Sequence, residues 1–148
     1  DNDGDQDVYI TLGGAVEGDD AHNALFINEN QNNNWLRIEL LGKEKANCVG
    51  ARVRVSVIMP SGKKQDLFHT VGDGGTFGSN SLSLEIGLGI AQKVEEIRID
   101  WPGREQEVFK NIFINSFWMC EEGTTKAVKK NLKKIDFNHV KRTNTCCK

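Results

Sequence analysis

The chain has 148 residues, a formal net charge of −2, 38% apolar residues, fifteen Gly and two Pro. That length suits one domain with a small appendage and can bury a real core. A mean hydropathy of −0.48, with no long apolar run, excludes a membrane-spanning helix. Charge is unevenly distributed. Residues 124–148 carry eight Lys or Arg against one acid, a net +7, while residues 1–123 carry eleven against twenty, a net −9. Nothing in this balance indicates nucleic acid.

The chain opens on Asp1 without Met and with four Asp alternating in seven residues, and reads as the continuation of a longer protein. Residues 7–11 form a short β-prone run ended by Leu12-Gly13-Gly14. A polar acidic loop (17–23) follows, then a brief apolar run (24–27) and an Asn-rich linker (28–34). From Trp35 the alternation is strong. Leu36, Ile38 and Leu40 oppose Trp35, Arg37 and Glu39, and Val53, Val55 and Val57 oppose Arg52, Arg54 and Ser56. Pro60-Ser61-Gly62-Lys63 is a turn, so residues 64–71 are expected to return as a hairpin partner. Leu82, Leu84 and Ile86 define another strand, closed by Gly87-Leu88-Gly89. Ile97, Ile99 and Trp101 share a face opposite Arg98 and Asp100, and residues 107–109 and 112–120 complete the set.

Short strands at regular spacing predict an all-β fold, an antiparallel β-sandwich-like domain. The end differs. Val128, Leu132 and Ile135 recur at helical spacing among lysines, which predicts a short basic C-terminal helix or tail capped by Thr124 or Thr125.

Cys48, Cys120, Cys146 and Cys147 contain no zinc spacing. Cys48 and Cys120 read as small buried residues, with pairing to the tail cysteines left open. His22, His69 and His139 are scattered, and no G-x-S-x-G occurs. An enzyme is therefore not expected. Arg52 and Arg54 are read as solvated or paired with acids such as Glu39, with ligand binding as the rival role. The glycine-rich stretch 72–79 could wrap an anion with its backbone N–H groups.

Asp1, Asp3, Asp5 and Asp7 are candidate metal ligands. Hard cations such as Ca2+ take six to eight oxygens, and alternating carboxylates around a Gly can converge on one. An EF-hand does not fit. With Gly4 on its glycine position, the twelfth position falls on Ile10 where a bidentate Glu is needed, and strand-like residues follow.

Asp3-Gly4-Asp5-Gln6-Asp7-Val8-Tyr9 resembles the calcium loop of FG-GAP/VCBS repeats, the D-x-D-x-D-G-x-x-D motif of integrin-type β-propeller blades. The resemblance implies side-chain ligation by Asp1, Asp3 and Asp7, with Asp5 where a backbone oxygen serves. Asn33-Asn34-Trp35-Leu36-Arg37-Ile38-Glu39 resembles the opening of the ASPIC/UnbV domain. Asn47 with Gly50-Ala51-Arg52-Val53-Arg54-Val55 is similar to its N-x-x-G-A-R-V core, and residues 75–80 to its glycine-phenylalanine-serine loop. Ile86-Gly87-Leu88-Gly89 and Trp101-Pro102-Gly103 resemble its later marks. The implied organisation is the remnant of a calcium-binding repeat (1–28), an ASPIC/UnbV-like β domain (29–122) and a basic tail (123–148).

The expected function is a non-catalytic extracellular or cell-surface binding, adhesion or assembly domain with calcium in its acidic loop. A protein partner or a homo-oligomer is expected, and the basic tail could take a glycan or other polyanion. A carbohydrate-binding module using Trp101 or Trp118 as stacking platforms is the alternative.

Overall fold

In the computed structural model, residues 3–14, 16–19, 21–28, 32–45, 48–72 and 81–135 are described. Ten strands follow in chain order: β1 (Val8–Ile10), β2 (Ala24–Phe26), β3 (Asn34–Leu41), β4 (Arg52–Ile58), β5 (Lys64–Thr70), β6 (Leu84–Gly89), β7 (Lys93–Asp100), β8 (Gln106–Phe109), β9 (Ser116–Glu121) and β10 (Ala127–Lys130). A 3₁₀ turn, Lys43–Lys45, follows β3.

The chain divides into two compact units: Asn30–Asn131, and Asp1–Glu29 with Leu132–Lys148. The larger unit is a β-sandwich. One sheet has the order β10-β9-β3-β6 and the other β5-β4-β7-β8. Alternation explains why they face each other. Leu36 and Ile38 of β3, Ile86 and Leu88 of β6, and Trp118 and Cys120 of β9 are buried. So are Val53, Val55 and Val57 of β4, Ile97 and Ile99 of β7, and Phe109 of β8, all in one cluster. Each such side chain withdrawn from water contributes about 1.5–3 kcal/mol before conformational entropy is counted.

The β4–β5 hairpin forms around Pro60-Ser61-Gly62, with Gly62 at φ 76°, donating its N–H to Met59 O at 2.8 Å. In β7 the inward residues Val94 and Ile97 are separated by two positions instead of one. The register shift between Ser56 and Val57 accounts for this: Ser56 faces Glu96 and Val57 faces Val94, so Glu95 is the extra residue of a β-bulge. Gly50 stands at φ 88°, as expected of a glycine that lets the β4 strand start abruptly, and its N–H bonds Val71 O at 2.7 Å.

Three expectations are corrected. The sandwich is not wholly antiparallel, because β3 and β9 run parallel, Leu36 against Ser116 through Leu41 against Glu121. The β6 strand continues through the expected stop at Gly87 to Gly89. Most consequentially, residues 127–130 are not helical. They form β10 and pair antiparallel with β9, Ala127 opposite Cys120 and Lys130 opposite Phe117. A lone twelve-residue helix is marginal in water, whereas the open edge of β9 satisfies the backbone of β10 and lets Ala127 pack on the core. The larger unit therefore takes in this strand as well. The rest of the expected basic tail, from residue 136 on, lies outside the described residues.

The smaller unit contains a two-stranded ribbon, Val8 opposite Phe26 and Ile10 opposite Ala24. Its apolar side chains remain open on both faces: Val8, Tyr9, Ile10, Leu25 and Phe26 are all exposed. A two-stranded ribbon has no second layer in which to hide them.

Candidate functional site

Asp3, Asp5 and Asp7 lie directly before β1, and Gly4 between them has a φ of 109°. That conformation is closed to residues with a Cβ, so Gly4 is what folds the carboxylates back on one another. Asp5 N donates to Asp3 Oδ1 at 3.2 Å. Asp7 Oδ1 accepts from Asn28 N at 3.0 Å, which ties the acidic loop to the chain just beyond β2. Leu12 N donates to Asn23 Oδ1 at 3.1 Å and Asn23 Nδ2 to Tyr9 Oη at 2.7 Å, closing the other end of the ribbon.

Asp5 stands out. Both of its carboxylate oxygens are out of reach of water and have no hydrogen-bond partner. Burial, then the charge of neighbouring Asp3, pushes its carboxyl above the usual aspartate range. An oxygen-only site with unmet acceptors is chemically suited to a hard cation such as Ca2+. Asp1, the fourth candidate, lies outside the described residues. Among the described residues no three or more His, Cys, Asp or Glu side chains form a group able to hold a metal.

A second polar cluster, missed at the level of sequence, sits at one end of the sandwich. Glu122 is 9% exposed as a residue, and Arg104 Nη1 reaches its two oxygens at 2.7 and 2.6 Å. Lys43 N donates to Glu122 Oε2 at 2.9 Å. The Arg104 guanidinium, followed by that backbone donor, holds the Glu122 carboxyl below its usual range. Glu107 bridges nearby: Oε1 accepts from Gly123 N at 2.7 Å and Oε2 from Trp101 Nε1 at 3.1 Å. The arrangement clamps the turn after β7 to the end of β9. Arg104, eighteen residues from Glu122, carries no local signal of this partnership.

The other candidates fall as follows. Trp101 is 4% exposed and Trp118 is 7% exposed, with Trp118 Nε1 donating to Phe113 O at 3.2 Å. Both belong to the core, so neither offers a ring face for a sugar. Arg54 pairs with Asp66 and Glu96, each at 3.7 Å, and not with Glu39, which belongs to the opposite sheet. Cys48 and Cys120 are both buried. Burial pushes the Cys48 thiol up and the Cys120 thiol up to about 12, which disfavours both thiolates. His69 is half-buried, and burial lowers its pKa; His22 is exposed. The glycine-rich segment 73–80, Asn47, His139, Cys146 and Cys147 lie outside the described residues. No helix among the described residues is long and apolar enough to cross a membrane.

No match to a curated protein was found. A family model, ASPIC and UnbV, matches residues 42–127. The match spans more than half of the chain and runs from the end of β3 to the first residue of β10. It begins later and ends later than the motifs alone suggested. The chain belongs to the ASPIC and UnbV family.

Proposed function

We propose that this is a non-catalytic, extracellular binding or assembly domain whose acidic N-terminal loop is the calcium site of a preceding FG-GAP/VCBS-type repeat. The observation that carries the reading is Asp5: two buried carboxylate oxygens without a hydrogen-bond partner, beside Asp3 and immediately ahead of an apolar ribbon. Asp1, Asp3, Asp5 and Asp7 would hold the ion, which supplies the positive charge that closely spaced carboxylates require. The left-handed Gly4 supports the same loop. Bound calcium would fix the β1–β2 ribbon, whose exposed Val8, Tyr9 and Phe26 then form the contact surface for a protein partner or a second copy.

Extracellular calcium modules bind with Kd on the order of 10⁻⁴–10⁻³ M. Calorimetric titration of calcium should give a saturable isotherm in that range. Asp3→Ala and Asp5→Asn should each weaken it at least tenfold while leaving the sandwich's Tm in place. Equal heats for the wild type and both variants would remove the calcium site.

A further inference from the structure

Charge and apolar exposure are polarised along the strands of the sandwich. One end is built from the β4–β5 turn, the β6–β7 turn, the loop joining β8 to β9 and the start of β3. Register brings them together: Ile58 faces both Lys64 and Lys93, Gly89 faces Asn34, and Ser116 faces Leu36. Two large apolar side chains stand open here, Ile90 at 62% and Phe113 at 65% exposure. The cations of these turns are Lys63, Lys64, Lys93 and Lys110, and the acid among them, Glu95, is held by Lys64 at 2.6 Å. Lys63, Lys93 and Lys110 are exposed and make no ion pair among the described residues. Glu105, Glu107, Glu121 and Glu122 lie at the opposite end.

Both apolar tips are held in place. Ile112 is buried and Ile114 packs on the core on either side of Phe113, whose carbonyl accepts from Trp118 Nε1 at 3.2 Å. Asn111 and Asn115 bracket this loop at φ 61° and 52°, a left-handed conformation that Asn adopts more readily than most residues with a Cβ. Asn34 Nδ2 donates to Ala91 O at 2.8 Å, directly after Ile90. Asn115 Nδ2 donates to Asn34 Oδ1 at 2.7 Å, and Trp35 N to Asn115 Oδ1 at 3.0 Å. One run of hydrogen bonds thus fixes the two loops to each other.

We infer that this end of the sandwich docks on an anionic lipid surface. Ile90 and Phe113 enter the headgroup region, and Lys63, Lys93 and Lys110 rest on the lipid charge. Apolar insertion and attraction to anionic lipid together drive binding at a membrane surface. The chemistry of the end favours lipid over a protein partner. A protein interface is built on directional hydrogen bonds, and the amides of Asn34 and Asn115 are already spent on one another and the backbone. Lysine is a point charge on a flexible stem that can follow a fluid surface, whereas arginine offers a fixed fork. The arginines lie elsewhere: Arg37, Arg54 and Arg98 in ion pairs along the sheets, Arg52 and Arg104 toward the acidic end. The surface is separate from the acidic loop and needs no calcium there.

The test is cosedimentation of the full chain, in chelator, with vesicles of phosphatidylcholine alone or mixed with phosphatidylserine. The chain should pellet with the mixed vesicles and stay in solution with phosphatidylcholine. Ile90→Gln combined with Phe113→Gln should weaken binding at least tenfold without moving Tm. Lys63→Gln combined with Lys93→Gln and Lys110→Gln should do the same. Phe68→Gln and Lys129→Gln, exposed but distant from this end, should not weaken it. The inference is overturned by no pelleting with the mixed vesicles, by equal pelleting with phosphatidylcholine alone, or by binding that either combined variant retains. An equal loss in Phe68→Gln or Lys129→Gln would overturn it too. Polyglutamate that binds the chain while vesicles do not would assign the end to an acidic protein instead. If the Ile90 and Phe113 variant lowers Tm, Ile90→Gln alone takes its place under the same criteria.

Discussion

Val55 and Arg54 are neighbours in β4 with opposite environments. Val55 is fully buried between the sheets, while Arg54 lies half-exposed on the outer face. Val55→Asp places an unpaired charge in the core and should cost roughly 4 kcal/mol or more, a large part of a domain's ~5–15 kcal/mol. Arg54→Ala loses two long surface pairs and should cost about 1 kcal/mol or less. Urea unfolding of both variants checks the assignment, which is reversed if Arg54→Ala is the more harmful. Glu122 gives the residue scale a pH signature. Its folded pKa lies below the ordinary 4.5, so its contribution is present above that value and is lost as pH falls through the folded pKa. Melting curves from pH 7 down to pH 3 should fall less steeply in Glu122→Gln, which starts from a lower Tm at pH 7 because Arg104 loses its anionic partner. Parallel curves would remove the clamp.

At the scale of elements, β10 decides how the C-terminal segment is understood. The spacing of Val128, Leu132 and Ile135 fits a helical stripe, but it spans only three residues and has no partner face of its own. β9 presents a complete row of backbone groups, and β10 takes it from Ala127 to Lys130. Ending the chain at Gly123 should therefore expose β9 as an edge and lower the sandwich's Tm by several degrees, at about 4 °C per kcal/mol for a domain of this size. Ending it after Asn131 should leave that transition in place. Differential scanning calorimetry separates the two truncations, and equal Tm values would mean β10 contributes nothing.

For the whole molecule, the two units differ in what holds them. The sandwich is closed by a continuous core, whereas the ribbon has a few hydrogen bonds and open apolar side chains. A cation bound by the folded loop and not by the unfolded chain stabilises only what it is linked to. Hydrogen exchange should show amides of β1, β2 and residue 28 gaining protection on calcium addition, with those of β4 and β7 unchanged. Protection that rises equally throughout, or nowhere, would contradict the proposed role of the acidic loop.

What the sequence determined by itself was whatever rests on local period and turn chemistry. The inward Val53, Val55 and Val57, the hairpin at Pro60–Lys63, and the shared face of Ile97, Ile99 and Trp101 are written in alternation. The candidate carboxylates were legible too, because residues that share a loop need no fold to be neighbours. The tertiary structure decided what depends on distant partners. The parallel contact of β3 with β9 joins residues 80 apart, as Leu36 opposite Ser116 shows. The Arg104–Glu122 clamp and the facing of Arg54 with Arg98 exist only once register is set. The same reason separates strand from helix at residues 127–130. A short segment with one apolar residue per turn has no strong preference of its own, so it takes the conformation whose hydrogen bonds a neighbouring edge can complete.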